Sequence, residues 1–173
     1  MEIIIDNREI SLKNYFNTQT HNYSVSFTNL FLGDIHIKFN NNLYYIFERK
    51  TLTDLASSIY DGRYKEQKQR LQASLAKVCY IIEDFQNYIT TSKKDFIFQK
   101  INGNGKAIIT SILNITLLNN FGILLTESIH ETIFILDQIF TRMNTPKNYS
   151  KYFPNLNCAD CVEKKSVDFS TSH

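Results

Sequence analysis

Glycine and proline are scarce, five and two in 173 residues, which excludes a collagen-like chain. No apolar run approaches the roughly 20 residues that a membrane span needs, so no membrane partner is expected. The start, Met-Glu-Ile-Ile-Ile-Asp, has no basic segment, and no secretory signal is expected. Cysteines number three. An odd count argues against a disulfide framework and for a reducing, intracellular compartment. Cys79 sits alone among apolar residues. Cys158 and Cys161 form one C-x-x-C with only His173 after it, which is short of a four-ligand zinc site; it reads as a surface pair, with metal or redox chemistry as the alternative. Excess charge is also missing. Nineteen Lys plus Arg against 17 Asp plus Glu leave +2, too little to announce a nucleic-acid partner, so such a function must come from local clusters.

What remains is a chain of 43% hydrophobic and 21% charged residues, long enough for one domain with a real core and too apolar for disorder. Residues 2–5 form an apolar run ending at Asp6, the pattern of a buried strand. Residues 11–19 suit a short helix and 24–32 a second strand. Ile35, Ile37 and Phe39 alternate with Asp34, His36 and Lys38, Asn40 to Asn42 turn the chain, and Leu43 to Phe47 return, which is a hairpin signal. Thr51 and Asp54 fit a capping box for a first helix. Asp61 suits the cap of a second, from about Arg63 to Ser74. Lys77 to Glu83 is an apolar strand, 86–105 a polar loop, Lys106 to Leu118 a helix apolar nearly all round, and Gly122 to Thr126 a strand. Ile129, Ile133, Leu136, Phe140 and Met143 mark a long amphipathic helix. Residues 1–145 are therefore expected as one domain of α/β class, a central mixed sheet flanked by helices, and 146–173 as a flexible tail.

The chemistry is concentrated between Asp34 and Lys50. Residues two apart on a strand point to one face, so Glu48 and Lys50 project together. If the Asn-rich turn pairs the hairpin, Asp34 lies beside Glu48. Two carboxylates and an ammonium then meet at one sheet edge. Such carboxylates can hold a hard divalent cation through oxygen, and the ammonium can steady charge on a reacting phosphate. D…E-x-K alone reads more readily as the edge of a solvated hairpin. The surrounding residues narrow it: Ile5-Asp6-Asn7-Arg8-Glu9, Gly33-Asp34, Glu48-Arg49-Lys50-x-x-x-Asp54, Ser58-Ile59-x-Asp61-Gly62-Arg63 and Gln67-x-x-Arg70-Leu71. In that order and spacing the segment resembles the nuclease domain of XPF/Mus-type (XPF/Hef) structure-selective endonucleases.

The resemblance implies a restriction-endonuclease-like fold and Mg²⁺-dependent cleavage of branched DNA (flap, fork, junction) in repair or recombination, with Mn²⁺ able to substitute and 5′-phosphate and 3′-hydroxyl ends left. It implies Asp34 and Glu48 as central metal ligands, the Arg49 carbonyl completing the shell, Asp6 and Glu9 as further metal ligands, and Lys50 as the catalytic lysine. Arg8, Arg49 and Asp54 match positions associated with activity, and Arg8 and Arg49 suit a bidentate grip on phosphate. Arg63, Lys65, Lys68 and Arg70 are candidate DNA contacts, or else a plain solvated helix face. Asp54 reads equally as a capping-box residue, Asp61 as a helix cap before a metal ligand, and His36 as a surface histidine. The stripe from Ile129 to Met143 is core or, as the family implies, part of a homodimer or heterodimer face. Family members carry a tandem helix-hairpin-helix domain, which needs glycine near phosphate; after Gly122 no glycine follows, so that domain is expected to be absent. A eukaryotic source would place such an enzyme in the nucleus. Two other readings stay open: a non-catalytic DNA-binding partner subunit, and a phosphodiesterase for small nucleotides.

Overall fold

A computed structural model describes residues 1–85 and 105–154. Six strands, β1 (Glu2–Asp6), β2 (Ser24–Thr28), β3 (Ile35–Phe39), β4 (Asn42–Thr51), β5 (Lys77–Glu83) and β6 (Gly122–Thr126), form one mixed sheet. Its order is β2-β1-β3-β4-β5-β6. β1 and β4 run antiparallel to β3, while the outer pairings are parallel. The helices are α1 (Ile10–Thr18), α2 (Leu52–Tyr60), α3 (Arg63–Gln72), α4 (Gly105–Leu113), α5 (Ile129–Met143) and α6 (Tyr149–Tyr152).

Alternation along the strands divides the core in two. Ile3, Ile5, Ile35, Ile37, Phe47 and Ile81 pack with Leu12 and Phe16 of α1 and with Ile133, Leu136 and Phe140 of α5. Ile46, Val78, Tyr80 and Ile82 face the other way, onto Leu55, Tyr64, Leu71 and Ile108. The stripe on α5 is thus core. The hairpin forms as the pattern predicts. Asn40 and Asn41 adopt φ of 48° and 62°, the left-handed pair that a tight turn between twisted strands requires. Thr51 caps α2 by accepting the Asp54 N–H at 3.0 Å.

Three expectations differ from the structure. The strand expected over 24–32 stops at Thr28, because the Leu30 N–H goes to the Asp6 carboxylate at 2.7 Å instead of a neighbouring strand. The helix expected from Lys106 to Leu118 widens into a π-turn at Asn114–Leu118; it buries Ile108 and Ile115 but leaves Leu113, Leu117 and Leu118 exposed. The flexible tail expected from 146 is folded as far as it is described. Pro146–Asn148 makes a 3-10 turn and α6 follows. Phe153 is fully buried against Phe39, Tyr44, Tyr45 and Tyr149, since the aromatic edge of the hairpin needs a cover. Cys158, Cys161 and all but one residue of the 86–105 loop lie outside the described residues.

Candidate active site

The site sits where β3 begins and β4 ends. Gly33 makes it possible. Its φ is +69°, and a Cβ there would meet Ile46 Cγ2 at 2.3 Å, so only glycine brings the chain this close to β4. The next residue is then fixed by backbone: the Asp34 N–H donates to the Phe47 carbonyl at 2.8 Å, and the Asp34 carbonyl accepts the Asp6 N–H at 2.8 Å. The Asp34 carboxylate accepts the Arg49 N–H at 2.7 Å. Burial and nearby carboxylate charge hold its pKa above the ordinary range.

Glu48 lies on the α2–α3 side of the sheet and is 2% exposed. Gln67 of α3 donates to its Oε1 at 2.6 Å, and the Lys50 ammonium lies 3.4 Å from the same oxygen. Its Oε2 is buried with no hydrogen-bond partner. Burial first, and repulsion by Asp34 second, push its pKa up to about 7. Beside Asp34, Glu48 therefore keeps one buried carboxylate oxygen that no protein donor satisfies. Lys50 opens into a cleft of about 260 Å³ lined by Ser58, Arg63, Glu66, Gln67 and Arg70.

Comparison with known proteins follows this geometry. The sequence matches the ERCC4 domain over residues 5–139. The chain belongs to the ERCC4-domain family. It is 35% identical over 147 residues to the crossover junction endonuclease MUS81 of Debaryomyces hansenii, covering 78% of this chain and 21% of that protein. To the probable crossover junction endonuclease of Dictyostelium discoideum it is 35% identical over 152 residues, 77% of this chain and 16% of that one. It thus spans about a fifth of the length of these relatives. The fold resembles XPF from Aeropyrum pernix, with a TM-score of 0.60 at 20% identity over 87% of this chain and 68% of that one. The same XPF in complex with DNA gives 0.60 at 19% identity, over 92% of this chain and 78% of that one. The mixed sheet and flanking helices of this ERCC4 domain are restriction-endonuclease-like.

Not every residue expected in the site takes the expected part. Asp6 is fully buried and its carboxylate accepts four donors: the Arg8 N–H, Arg8 Nε and Nη2, and the Leu30 N–H, at 2.7 to 2.8 Å. Its pKa falls to about 2, chiefly through the Arg8 guanidinium. In this structure the Asp6 carboxylate is a structural hub that ties the Leu30 backbone and Arg8 to the end of β1. Glu9 accepts from Arg49 Nη1 at 2.9 Å. Among the described residues, no three His, Cys, Asp or Glu side chains gather as a metal cage. Arg49 is committed as well. It forks onto Glu83 at 2.8 and 2.9 Å in addition to Glu9, on the sheet face opposite Glu48, so in this structure its guanidinium braces the scaffold. Arg8, bound to Asp6, keeps its side chain 72% exposed. Asp54 is exposed and serves the α2 cap. Asp61 is not the N-cap expected for α3, a position that Gly62 takes; it closes α2 and accepts from the N–H and Nε of Arg63.

The basic row on α3 divides by helical period. Arg63 and Arg70 share the cleft face with Glu66 and Gln67, while Lys65 and Lys68 fall off it, Lys68 lying over the Tyr64 ring at 5.3 Å. Two participants were not assigned from sequence. Gln67 belongs to a motif of the resemblance, but only the α3–β4 contact gives it Glu48. Glu83 ends an apolar strand, a signal in itself, yet the parallel β4–β5 register is what sets it near Arg49. His36 was read as a surface histidine; it is half buried, and its Nε2–H donates to the Leu32 carbonyl at 2.6 Å, tying down the loop before Asp34.

Proposed function

We propose that this ERCC4 domain is a divalent-metal-dependent endonuclease that hydrolyses one phosphodiester near a branch in DNA, in repair or recombination. The observation that carries the reading is the Asp34–Glu48 pair: a buried Glu48 beside a partly buried Asp34, one Glu48 oxygen without a partner, a pKa raised to about 7, and an ammonium 3.4 Å away at the head of a basic cleft. Protein donors leave that oxygen unsatisfied, whereas Mg²⁺ or Mn²⁺ suits the pair, because Mg²⁺ keeps several waters and needs few protein oxygens. Asp34 and Glu48 would hold the ion, which supplies charge neutralisation and a lowered pKa for the attacking water. Gln67 fixes the Glu48 carboxylate, and the Asp34 backbone bonds fix the partner. Lys50 donates to a non-bridging phosphate oxygen as negative charge gathers on it. Arg63 and Arg70 hold flanking phosphates, with Arg8 at the outer rim. Water attacks phosphorus, the P–O3′ bond breaks, and the products are a 5′-phosphate and a 3′-hydroxyl.

The test is cleavage of labelled 3′-flap, fork and splayed-arm DNA with Mg²⁺ or Mn²⁺. Nicking near the branch is expected, with at least a hundredfold loss in Glu48→Ala. Undiminished cutting by Glu48→Ala would overturn the site. We also propose that the working unit is a dimer with a second copy or a related subunit. Leu117, Leu118 and Phe134 are 76%, 73% and 64% exposed, an amount of open apolar surface that favours a protein partner.

A further inference from the structure

The loop between β2 and β3 carries a feature that hydrolysis does not use. Phe31 is 88% exposed, yet the loop bearing it is held at every step. The Leu30 N–H is bound by Asp6, and the Leu30 carbonyl accepts from Arg8 Nη2 at 3.2 Å. The Phe31 carbonyl accepts from Arg70 Nη2 at 2.5 Å, and the Leu32 carbonyl from His36. Gly33 and Asp34 then dock on β4. A large ring is thus presented to solvent on rigid backbone, three residues from a site carboxylate. Arg70 also lies over one face of the ring, its guanidinium carbon 4.3 Å from the centroid. The same arginine lines the basic cleft that contains Lys50 and Arg63. The ring therefore marks the far end of a cationic track that starts at the catalytic pair.

We propose that Phe31, backed by Arg70, is a stacking platform for one unpaired nucleobase of the strand that is cut, next to the branch. The proposal deepens the nuclease reading and rests on it. A base has a π-face whatever its identity, so an aromatic platform recognises unpairedness without reading sequence. Arg70 stiffens the ring from below and supplies positive charge for the adjoining phosphate, by cation–π contact on one side and the cleft on the other. In duplex DNA the bases are stacked on each other and unavailable. The platform therefore discriminates for the frayed or single-stranded arm, a selectivity that the carboxylates and Lys50 do not provide.

The experiment measures binding of the whole chain to a splayed-arm DNA in EDTA, with 2-aminopurine placed in turn at each of the first three unpaired positions. Stacking quenches this base. Wild type is expected to quench it at one position, Phe31→Ala to lose the quench and about tenfold in affinity, and Phe31→Trp to recover both. An abasic nucleotide at that position should weaken wild type by a similar factor and Phe31→Ala no further. If Phe31→Ala binds and quenches as wild type does while Glu48→Ala still abolishes cutting, the platform is wrong and the nuclease reading stands. A loss in Phe31→Ala that is the same on intact and abasic DNA also overturns it, since the ring would then touch something other than a base. Wild type that neither binds nor cuts branched DNA overturns both.

Discussion

Glu48 concentrates the physics of the site in one side chain. Its pKa stands near 7 in the folded chain against 4.5 for the ordinary group. The folded state therefore holds a proton that the unfolded chain has released, and between those values folding takes up protons. Stability from this group is full below about pH 4.5, falls as pH rises to about 7, and stays low above it. The effect is of order 3 kcal/mol. Asp34 is shifted the same way and adds to it; Asp6, lowered to about 2, loses its contribution only in strong acid. In EDTA the melting temperature of wild type should thus decline across this window. Glu48→Gln should flatten the decline and melt higher than wild type at pH 8. Thermal scans from pH 4.5 to 8 decide it: matching slopes in the two proteins would mean that Glu48 is not the strained group. Arg49 illustrates the converse. Its fork onto Glu83 and reach to Glu9 neutralise two carboxylates, so removing it unbalances the scaffold before it touches chemistry.

Elements decide which charges can act together. On α3, residues 63, 66, 67 and 70 follow the i, i+3, i+4, i+7 rule and share the cleft, while Lys65 and Lys68 have the same charge and the wrong angle. Replacing Arg63 and Arg70 together by Ala should weaken branched-DNA binding and lower the slope of log affinity against log salt by about two. The Lys65→Ala, Lys68→Ala pair should change the slope by less than about one. Fluorescence anisotropy titrations over a salt series make the comparison, and equal effects would reduce α3 to a generic basic surface. The hairpin works likewise. Its left-handed Asn40–Asn41 turn opposes Phe39 to Asn42, a bulge between Ile37 and Lys38 then shifts the pairing by one residue so that Ile35 opposes Phe47, and this shifted register is what delivers Asp34 to Glu48.

The described residues form one sheet with a core on each face, and the candidate site lies at the rim of one of them. What stays open is apolar surface on the late elements. Leu113 precedes the π-turn and Leu117 and Leu118 lie in it, with Leu125 on β6 and Phe134 on α5 also exposed. If these residues form a dimer face, multi-angle light scattering at micromolar concentration should give twice the chain mass, and Leu117→Glu with Leu118→Glu should give one chain mass with unchanged circular dichroism. A monomeric, well-behaved wild type would move the second subunit to a related but different chain.

Much of this was legible in the residues. Period-two and helical patterns placed the six strands and the main helices, because binary patterning answers to the core each element must face. Gly33-Asp34 and Glu48-x-Lys50 pointed to the candidate site through strand alternation, while the bulge between Ile37 and Lys38 that completes their register was not in the pattern. Tertiary structure decided the rest. Asp6 and Arg49 carry charge that suits the chemistry, but in this structure Arg8 and the Leu30 N–H bind the one, and Glu83 and Glu9 the other. Gln67 and Phe153 gain their roles only from chain that is distant in sequence. Which of several suitable side chains is left free for substrate depends on who its neighbours are, and a one-dimensional pattern does not contain them.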